Sequence, residues 1–599
     1  VLEVVVPVDA ALLAAWAARV ERAAARLDWR ERRSVARRHA GGVSLAIAAP
    51  CDQLFLATEV NEWALCAALI ERDPQRWSGL EAALVAEAAA VSAGRAADPA
   101  VSPAANPAVN PAANPAATPG ANITPVIEES AALARFERLA AAESQPTLPT
   151  LLAAAAARGL PCVLDESELT LGSGAGGRSF ALARLPEVID VPWEALHGVP
   201  TAIVTGSNGK TTTVRLLAAC ARAHGWRAAY NCTDGVFLDE EALASGDYSG
   251  PAGARMVLRE PRAQAAILET ARGGILRRGI AVSRAQTAVV TNVSADHFGE
   301  YGIDDLAGLA DTKLTVAAVV APDGLLVLNA DDPQLRAQVL GLERRFGRRP
   351  PLGWFSASGE TLLHDYGARG AATCGVRDGR LVVHRYGVDD DLGAIANMPV
   401  AMGGIAAYNV ANLAGAALAA VALGIGPATI AVVFARFGAD LNDNPGRMMR
   451  FDADGVTVLI DYAHNPDGLR GFLRVADHLR RGGRLGLLLG HAGNRQDADI
   501  EELARVAAEF RPDLVVVKEN EAQRRGRAPG EVPHILRSEL QRLGFLDSTV
   551  PVYGSEVEAA RHALAWAQPG DVLALPLHSL SARATVVALL QKKGSATPK

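Results

Sequence analysis

Cysteine is scarce in this 599-residue chain. The six residues, Cys51, Cys66, Cys162, Cys220, Cys232 and Cys374, stand singly with no C-x-x-C pair. That spacing argues against a zinc ribbon or a disulfide framework and leaves ordinary packed thiols. Half the residues are hydrophobic, much of that being alanine, yet no uninterrupted apolar run reaches the roughly 18 residues that read as a membrane span. A soluble protein without membrane partners is expected. The first residues, VLEVVVPVDA, have no basic region ahead of a signal-type apolar core, so export is not expected and a cytoplasmic location is. Positive charge is not in excess either: 59 Lys and Arg against 66 Asp and Glu give a net charge of -7. That balance offers nucleic acid no general attraction, and the short runs RRFGRR and QRRGR read as solvated faces.

What is present first is length. At about 150 residues per domain the chain should hold roughly three or four units. The clearest seam is DPAVSPAANPAVNPAANPAATPGANITP, residues 98–125. Its recurrent prolines deny helix and sheet their donors and predict an extended or disordered connector. Around it lie helical stretches such as AALLAAWAARVERAAARL and a strand-like VSLAIAAP, giving a small α+β N-terminal domain over 1–190. From residue 191 short apolar strands alternate with alanine-rich helices, and AAILET, TAVVTNV and GLLVLNADD each end in polar residues. That alternation predicts a parallel α/β sheet with its ligands at the carboxyl ends of the strands. The stretch 350–402 turns to strand-and-turn character before the helix NVANLAGAALAAVALG closes a central domain at 440. A third, Rossmann-like α/β domain over 441–599 has VTVLIDYAHNP, RLGLLLG, DLVVVKEN and DVLALPL as its strands.

The central domain opens on VTGSNGKTTT, residues 204–213. The common phosphate loop, G-x-x-x-x-G-K-[ST], would need glycine where Val204 stands, so this loop is a shortened variant. Gly206 and Gly209 let the backbone close around phosphate, a helix starting near Lys210 points its amides at the anion, and Lys210 neutralises the outer phosphates. Thr211 is placed to ligate Mg²⁺, and ATP is the expected nucleotide.

TGSNGKTTT, LETARGG, TNVSADH, LNADDP, NVANLAGA, PGRM and DYAHNPDGL occur in the order seen in the Mur ligases, which the chain resembles over about 195–599. Within that superfamily it is most similar to the cyanophycin synthetases, through ETARGGILRRG, GNRQDADIEELARVAAEF and KENEAQRRGRAPGE, and through an N-terminal part ending in RGLPCVLDESELTLGSGAGGRSF. In those relatives an ATP-grasp ligase follows that ending. Here about twenty residues separate Arg178 from Pro200, and even one compact domain needs at least about 50. One of the two active sites is thus expected to be missing, which puts polymer-making activity in doubt.

The resemblance implies an ATP-dependent ligase that joins a carboxylate to an amine through an acyl phosphate and forms ADP. Adding an amino acid to an aspartyl or peptide-like acceptor in a cyanophycin-related pathway is the leading expectation. A folylpolyglutamate-synthase-like glutamate ligase and a noncatalytic partner of a full-length synthetase remain as alternatives. It implies a nucleotide set of Gly206, Ser207, Asn208, Gly209, Lys210, Thr211, Thr212, Asn329, Asn409, Arg447, Asp461 and His464, with Arg447 on the γ-phosphate and Asp461 on the ribose. Glu269 and His297 match metal-binding positions, and Lys313 falls where many Mur ligases carry a carbamylated lysine, although a solvated helical lysine would read the same. Asn329 and Asn409 could equally cap turns or helices, and Tyr408 stands where relatives often carry histidine. For the amine, Arg495, Asp497, Lys518, Glu519 and Arg527 are candidates that ordinary surface salt bridges explain as well. Homo-oligomerisation is expected from the apolar faces of the alanine-rich helices and from the assembly of the relatives.

Overall fold

A computed structural model of the chain describes residues 2–4, 8–39, 42–77, 128–295, 298, 301–520 and 523–593. The proline-rich connector and His297 lie outside them. The described residues form two compact units, one from within 1–158, 182–191 and 299–304, the other from within 159–181, 192–298 and 305–599.

In the first unit a three-stranded antiparallel sheet has Gly42–Ile47 at its centre, between Leu2–Val4 and Ser34–His39. Helix Ala10–Arg26 starts where Asp9 accepts the Leu12 N–H, and buries Leu12, Trp16, Val20, Ala23 and Ala24, one stripe at helical spacing. Trp16 donates its indole N–H to Asn61 at 3.0 Å, and Trp63 meets Phe136 edge to face at 5.5 Å, both within the core of this unit.

The second unit is built on two large sheets. The first has eleven strands, in spatial order Glu241–Ser245, Gly235–Leu238, Ala228–Cys232, Ala265–Glu269, Thr201–Thr205, Ala285–Val290, Val320–Asn329, Leu352–Ser356, Ala372–Arg377, Arg380–Arg385 and Val388–Ala394. The seven from Ala228–Cys232 to Ala372–Arg377 are parallel, and antiparallel pairs close both edges. Strands Thr201–Thr205 and Ala265–Glu269 are buried at every position, which is why they read as unbroken apolar runs. Their pairing matters for function: Thr201–Thr205 lies between Ala265–Glu269 and Ala285–Val290. The chain builds outward on one side, then crosses it and builds on the other, so its carboxyl end is a topological switch point. The region 350–402 extends this same sheet.

The second sheet runs Met449–Ala453, Val456–Asp461, Val572–Pro576, Leu485–Leu489, Leu514–Lys518, Val552–Tyr553, antiparallel only at its first pair. Helices cover both faces, over separate aliphatic cores. A smaller antiparallel sheet, Cys162–Leu164, Glu168–Leu171 and Arg178–Ala181, belongs to this unit. The sequence places it in an N-terminal domain ending at 190. Instead Arg259 holds it, donating to Thr170 Oγ1 and the Glu168 carbonyl at 3.1 Å each and pairing with Asp165. None of the described helices is long and apolar enough to cross a membrane.

Candidate active site

The loop at the switch point is held open by its two glycines and braced by the next strand. Gly206 has φ +151°, and a Cβ on it would collide with Thr291 Oγ1. Gly209, at φ +84°, caps helix Lys210–Ala223 in the left-handed region, where a Cβ would collide with Asn412. Between them the Asn208 N–H donates to Asn292 Oδ1 at 2.9 Å, and its carbonyl accepts from Thr291 Oγ1 at 2.5 Å and Asn292 Nδ2 at 3.1 Å. Ser207 Oγ donates to the Ser294 carbonyl and accepts the Ser294 N–H, both at 3.0 Å. Lys210 Nζ folds over the loop and donates to the Gly206 and Ser207 carbonyls at 3.1 and 3.0 Å. The loop therefore presents a helix N-terminus with an ammonium beside it, an anion site in both partial and full charge.

Glu269 ends the neighbouring strand and is fully buried. Its Oε2 accepts from Thr211 Oγ1 at 2.8 Å and its Oε1 from Thr233 Oγ1 at 3.0 Å. Burial raises its pKa above the ordinary value, against the pull of Lys210, Thr211, Arg447 and Thr233. A buried carboxylate and a hydroxyl within 3 Å of each other, beside a phosphate loop, are the hard-oxygen donors Mg²⁺ takes while keeping waters and phosphate oxygens as its other ligands. These residues fit that ion. Lys313 is buried at the end of helix Leu306–Lys313 but does not line the cleft.

The opposite wall comes from the second sheet. Arg447, Asp461, Tyr462 and His464 line the same cleft of 280 Å³ as Ser207, Asn208, Gly209, Lys210, Thr211, Thr212 and Glu269. Asp461 Oδ2 accepts the Met448 N–H at 2.7 Å, which ties the strand end to the turn carrying Arg447. Burial raises the Asp461 pKa and the Arg447 charge opposes that. The Arg447 guanidinium lies 4.3 Å over the Tyr462 ring, a cation–π contact that fixes its plane. His464 Nδ1 is 3.3 Å from the Tyr462 carbonyl. The two walls are stitched together. Asn465 Nδ2 donates to Asn208 Oδ1 at 2.9 Å, Asn208 Nδ2 to Asp467 at 3.2 Å, and Asn444 Nδ2 to Thr212 Oγ1 at 3.2 Å. Buried Asp234 accepts from Arg215 at 2.6 Å and from Arg583 at 3.1 Å.

The two asparagines named from the sequence part company. Asn409 lines the cleft with Tyr408, although its side chain also donates to the Val400 carbonyl at 2.9 Å and accepts from Asn412 at 3.1 Å. Asn329 is not among the lining residues; it donates to the Thr291 carbonyl and accepts the Asp331 N–H, both at 2.9 Å, and so braces the loop from behind. Sequence reasoning passed over Thr233, Asn292, Asp234 and Asn465. Their signal was there, since NCTD, TNVS and DYAHNP are polar ends of strands, but which strand ends converge is a property of the sheet order.

Of the residues considered for an amine, Arg495, Asp497, Lys518, Glu519 and Arg527, none lines this cleft. Arg527 staples the loop after strand Leu485–Leu489, donating to the Gly493 and Arg495 carbonyls at 2.9 and 2.7 Å, to Asp497 at 2.6 Å and to Glu531 at 2.7 Å. Arg495 and Glu519 are buried, and Glu519 accepts the Gly530 N–H at 2.6 Å. A surface salt bridge does not describe Lys518. It is 0% exposed and pairs with Glu556, and its Nζ lies 3.4 Å from His578 Nδ1.

Burial, helped by the Lys518 charge, pushes the His578 pKa down from 6.5 to about 3, against the pull of Glu556. Burial opposes ionisation of Glu556, but the Lys518 charge, the His578 ring and the hydrogen bonds from Lys518 and the His578 N–H together outweigh that and hold its carboxyl at about 2, below its ordinary 4.5. Both groups are depressed, so their stabilisation is present above the unfolded values and is lost on acidification. The His578 contribution declines as pH falls from 6.5 towards about 3. Unfolding midpoints measured across that range should fall with pH, and His578→Gln should flatten the decline; an equally steep decline in the variant would remove His578 as its source.

Residues 204–420 match the family model described as Mur ligase middle domain, and residues 446–575 the one described as Mur ligase, glutamate ligase domain. Cyanophycin synthetase of Crocosphaera subtropica is 37% identical over 350 residues, 58% of this chain and 38% of that protein, so the chain spans well under half of that relative. The UDP-N-acetylmuramoyl-L-alanyl-D-glutamate--2,6-diaminopimelate ligase of Alkalilimnicola ehrlichii is 30% identical over 423 residues, covering 68% of this chain and 78% of that one. Among solved structures, E. coli FolC in complex with ADP is 18% identical with a TM-score of 0.49, over 66% of this chain and 91% of that one.

Proposed function

This chain belongs to the Mur ligase family, and from that premise we propose that it is an ATP-dependent, ADP-forming amide ligase acting through an acyl phosphate. The observation that carries the reading is the convergence in one cleft of the Lys210 loop, the Thr211–Glu269 pair and the Arg447–Asp461 wall. An acceptor carboxylate oxygen attacks the γ-phosphorus of ATP as the bond to ADP breaks. An amine nitrogen then attacks the acyl carbon, the bond to phosphate breaks, and the nitrogen gives up a proton as the amide forms. The loop amides and Lys210 hold the phosphates. Arg447, whose planar guanidinium can bind two oxygens, takes the γ-phosphate, and Asp461 takes the ribose. Mg²⁺, held by Thr211 Oγ1 and Glu269, would neutralise phosphate charge. The further metal-proximal roles of His297 and Lys313 rest on the family resemblance. Because the two walls come from different sheets, closing them together assembles the site and excludes water.

The amine is proposed to be an amino acid and the acceptor an aspartyl or peptide-like carboxylate, on the likeness to cyanophycin synthetases. ADP release by the purified protein with Mg²⁺ and ATP, with aspartyl peptides and amino acids added singly and together, tests this. Release that requires both supports the ligase and names its substrates. Bound ATP with no turnover under any pairing would sink it in favour of a noncatalytic Mur-like partner.

A further inference from the structure

The mechanism above makes no use of three ionisable side chains buried at the carboxyl ends of the second sheet. Lys518, at the end of strand Leu514–Lys518, is wholly enclosed, and Glu556 opens helix Glu556–Trp566 with 5% exposure. Their ion pair is not isolated. Glu556 Oε1 also accepts the His578 N–H at 3.0 Å, and Oε2 the Ser579 N–H at 2.9 Å. The carboxylate therefore clamps the turn that follows strand Val572–Pro576. Gly490 leaves the space for the lysine stem; a Cβ there would lie 2.8 Å from Lys518 Cγ and 2.7 Å from its carbonyl.

The imidazole of His578 packs against two residues that line the cleft, Tyr462 and Ala463. Its Nε2 is 3.1 Å from the Ala463 carbonyl, and its Nδ1 is 3.4 Å from Lys518 Nζ. A carbonyl only accepts and an ammonium only donates, so the ring is the neutral tautomer with the proton on Nε2. The same ring meets Tyr462 edge on at 5.2 Å, and the Arg447 guanidinium lies 4.3 Å over that tyrosine. A continuous chain of contacts thus runs from the buried ion pair through His578 to the turn at 462–463 and on to Arg447.

We propose that Lys518, Glu556 and His578 are positioning residues that hold the Tyr462 turn and, through the tyrosine ring, orient the Arg447 guanidinium at the phosphate end of the cleft. The charged pair fixes the His578 turn by backbone hydrogen bonds, and the imidazole transmits that position by one hydrogen bond and one ring contact. An unsupported tyrosine would let a long arginine side chain sample many rotamers, and ordering it would then weaken each encounter with the γ-phosphate. Lys518 is accordingly assigned to the protein's interior and not to the amine.

The proposal rests on the reading of Arg447 as the γ-phosphate ligand, so the experiment is chosen to read that contact without turnover. Affinities for the nonhydrolysable analogue AMP-PNP and for ADP are measured by calorimetry in Mg²⁺ for the full chain. His578→Leu and Tyr462→Leu should each reduce the preference for AMP-PNP over ADP by about 10-fold, the size of one charge-assisted hydrogen bond. His578→Gln, which keeps a donor towards the Ala463 carbonyl, should recover most of it. In an Arg447→Ala background His578→Leu should have no further effect on the preference. Additive losses in that background, an unchanged preference in His578→Leu, or no preference in the parent protein would overturn the proposal. Its failure is distinguishable from failure of the ligase reading, because amine- and acceptor-dependent ADP release is scored separately.

Discussion

Lys210→Ala is expected to lower ATP turnover by about 10²- to 10³-fold, the cost of removing one preorganised charge from a transferring phosphoryl group. The fold should survive. Lys210 is half-buried and gives up two hydrogen bonds, to the Gly206 and Ser207 carbonyls; such bonds contribute about 1 kcal/mol each on a net basis. The backbone shape of the loop is set elsewhere, by the two glycines and by Thr291 and Asn292. Steady-state ADP release alongside a thermal unfolding midpoint separates the two effects. A loss below 5-fold in a folded variant would remove the ammonium from the chemistry.

The largest effect on stability is expected at Lys518. In Lys518→Met the Glu556 carboxylate is left buried with no counter-charge, and breaking such a pair costs about 3–5 kcal/mol. The side chains are 0% and 4% exposed, so water cannot take the place of the ammonium. Lys518→Met combined with Glu556→Gln removes both charges and keeps an amide oxygen for one of the two N–H groups that the carboxylate now accepts. The double variant should therefore be more stable than Lys518→Met alone, as read from urea unfolding of both single variants and the pair. Simple additivity of the two single losses would show that the charges do not depend on each other.

The two expectations differ in how far the sequence could carry them. Lys210 was legible because the loop is local: two glycines, a lysine and a threonine within six residues carry both the backbone shape and the charge. Thr211 follows from the same stretch, Glu269 and Asp461 were legible as polar residues closing apolar strands in a familiar order, and Arg447 through the PGRM turn that precedes one. Lys518 also closes an apolar strand, and it looked the same. What separates it from Glu269 is a helix that begins at Glu556 and a turn at His578, 38 and 60 residues away along the chain. Asn329, open in the sequence between a nucleotide-proximal group and a turn cap, differs for a related reason. Its strand pairs with Ala285–Val290 and not with Thr201–Thr205, so its side chain reaches Thr291 behind the loop. Residues 162–181 read as the tail of a leading domain because strand propensity says nothing about which partner a short sheet takes, and Arg259 supplies that partner from the second unit.

By itself the sequence determined the phosphate loop, the α/β alternation and the family, because these depend on residue types at short spacing and on strands apolar enough to be buried on both faces. Tertiary structure decided which polar strand ends share the cleft, which are interior supports and how the two walls meet. Sheet order is set by long-range packing between segments far apart in the chain, and a carboxylate or ammonium acquires its role from whatever that packing brings against it.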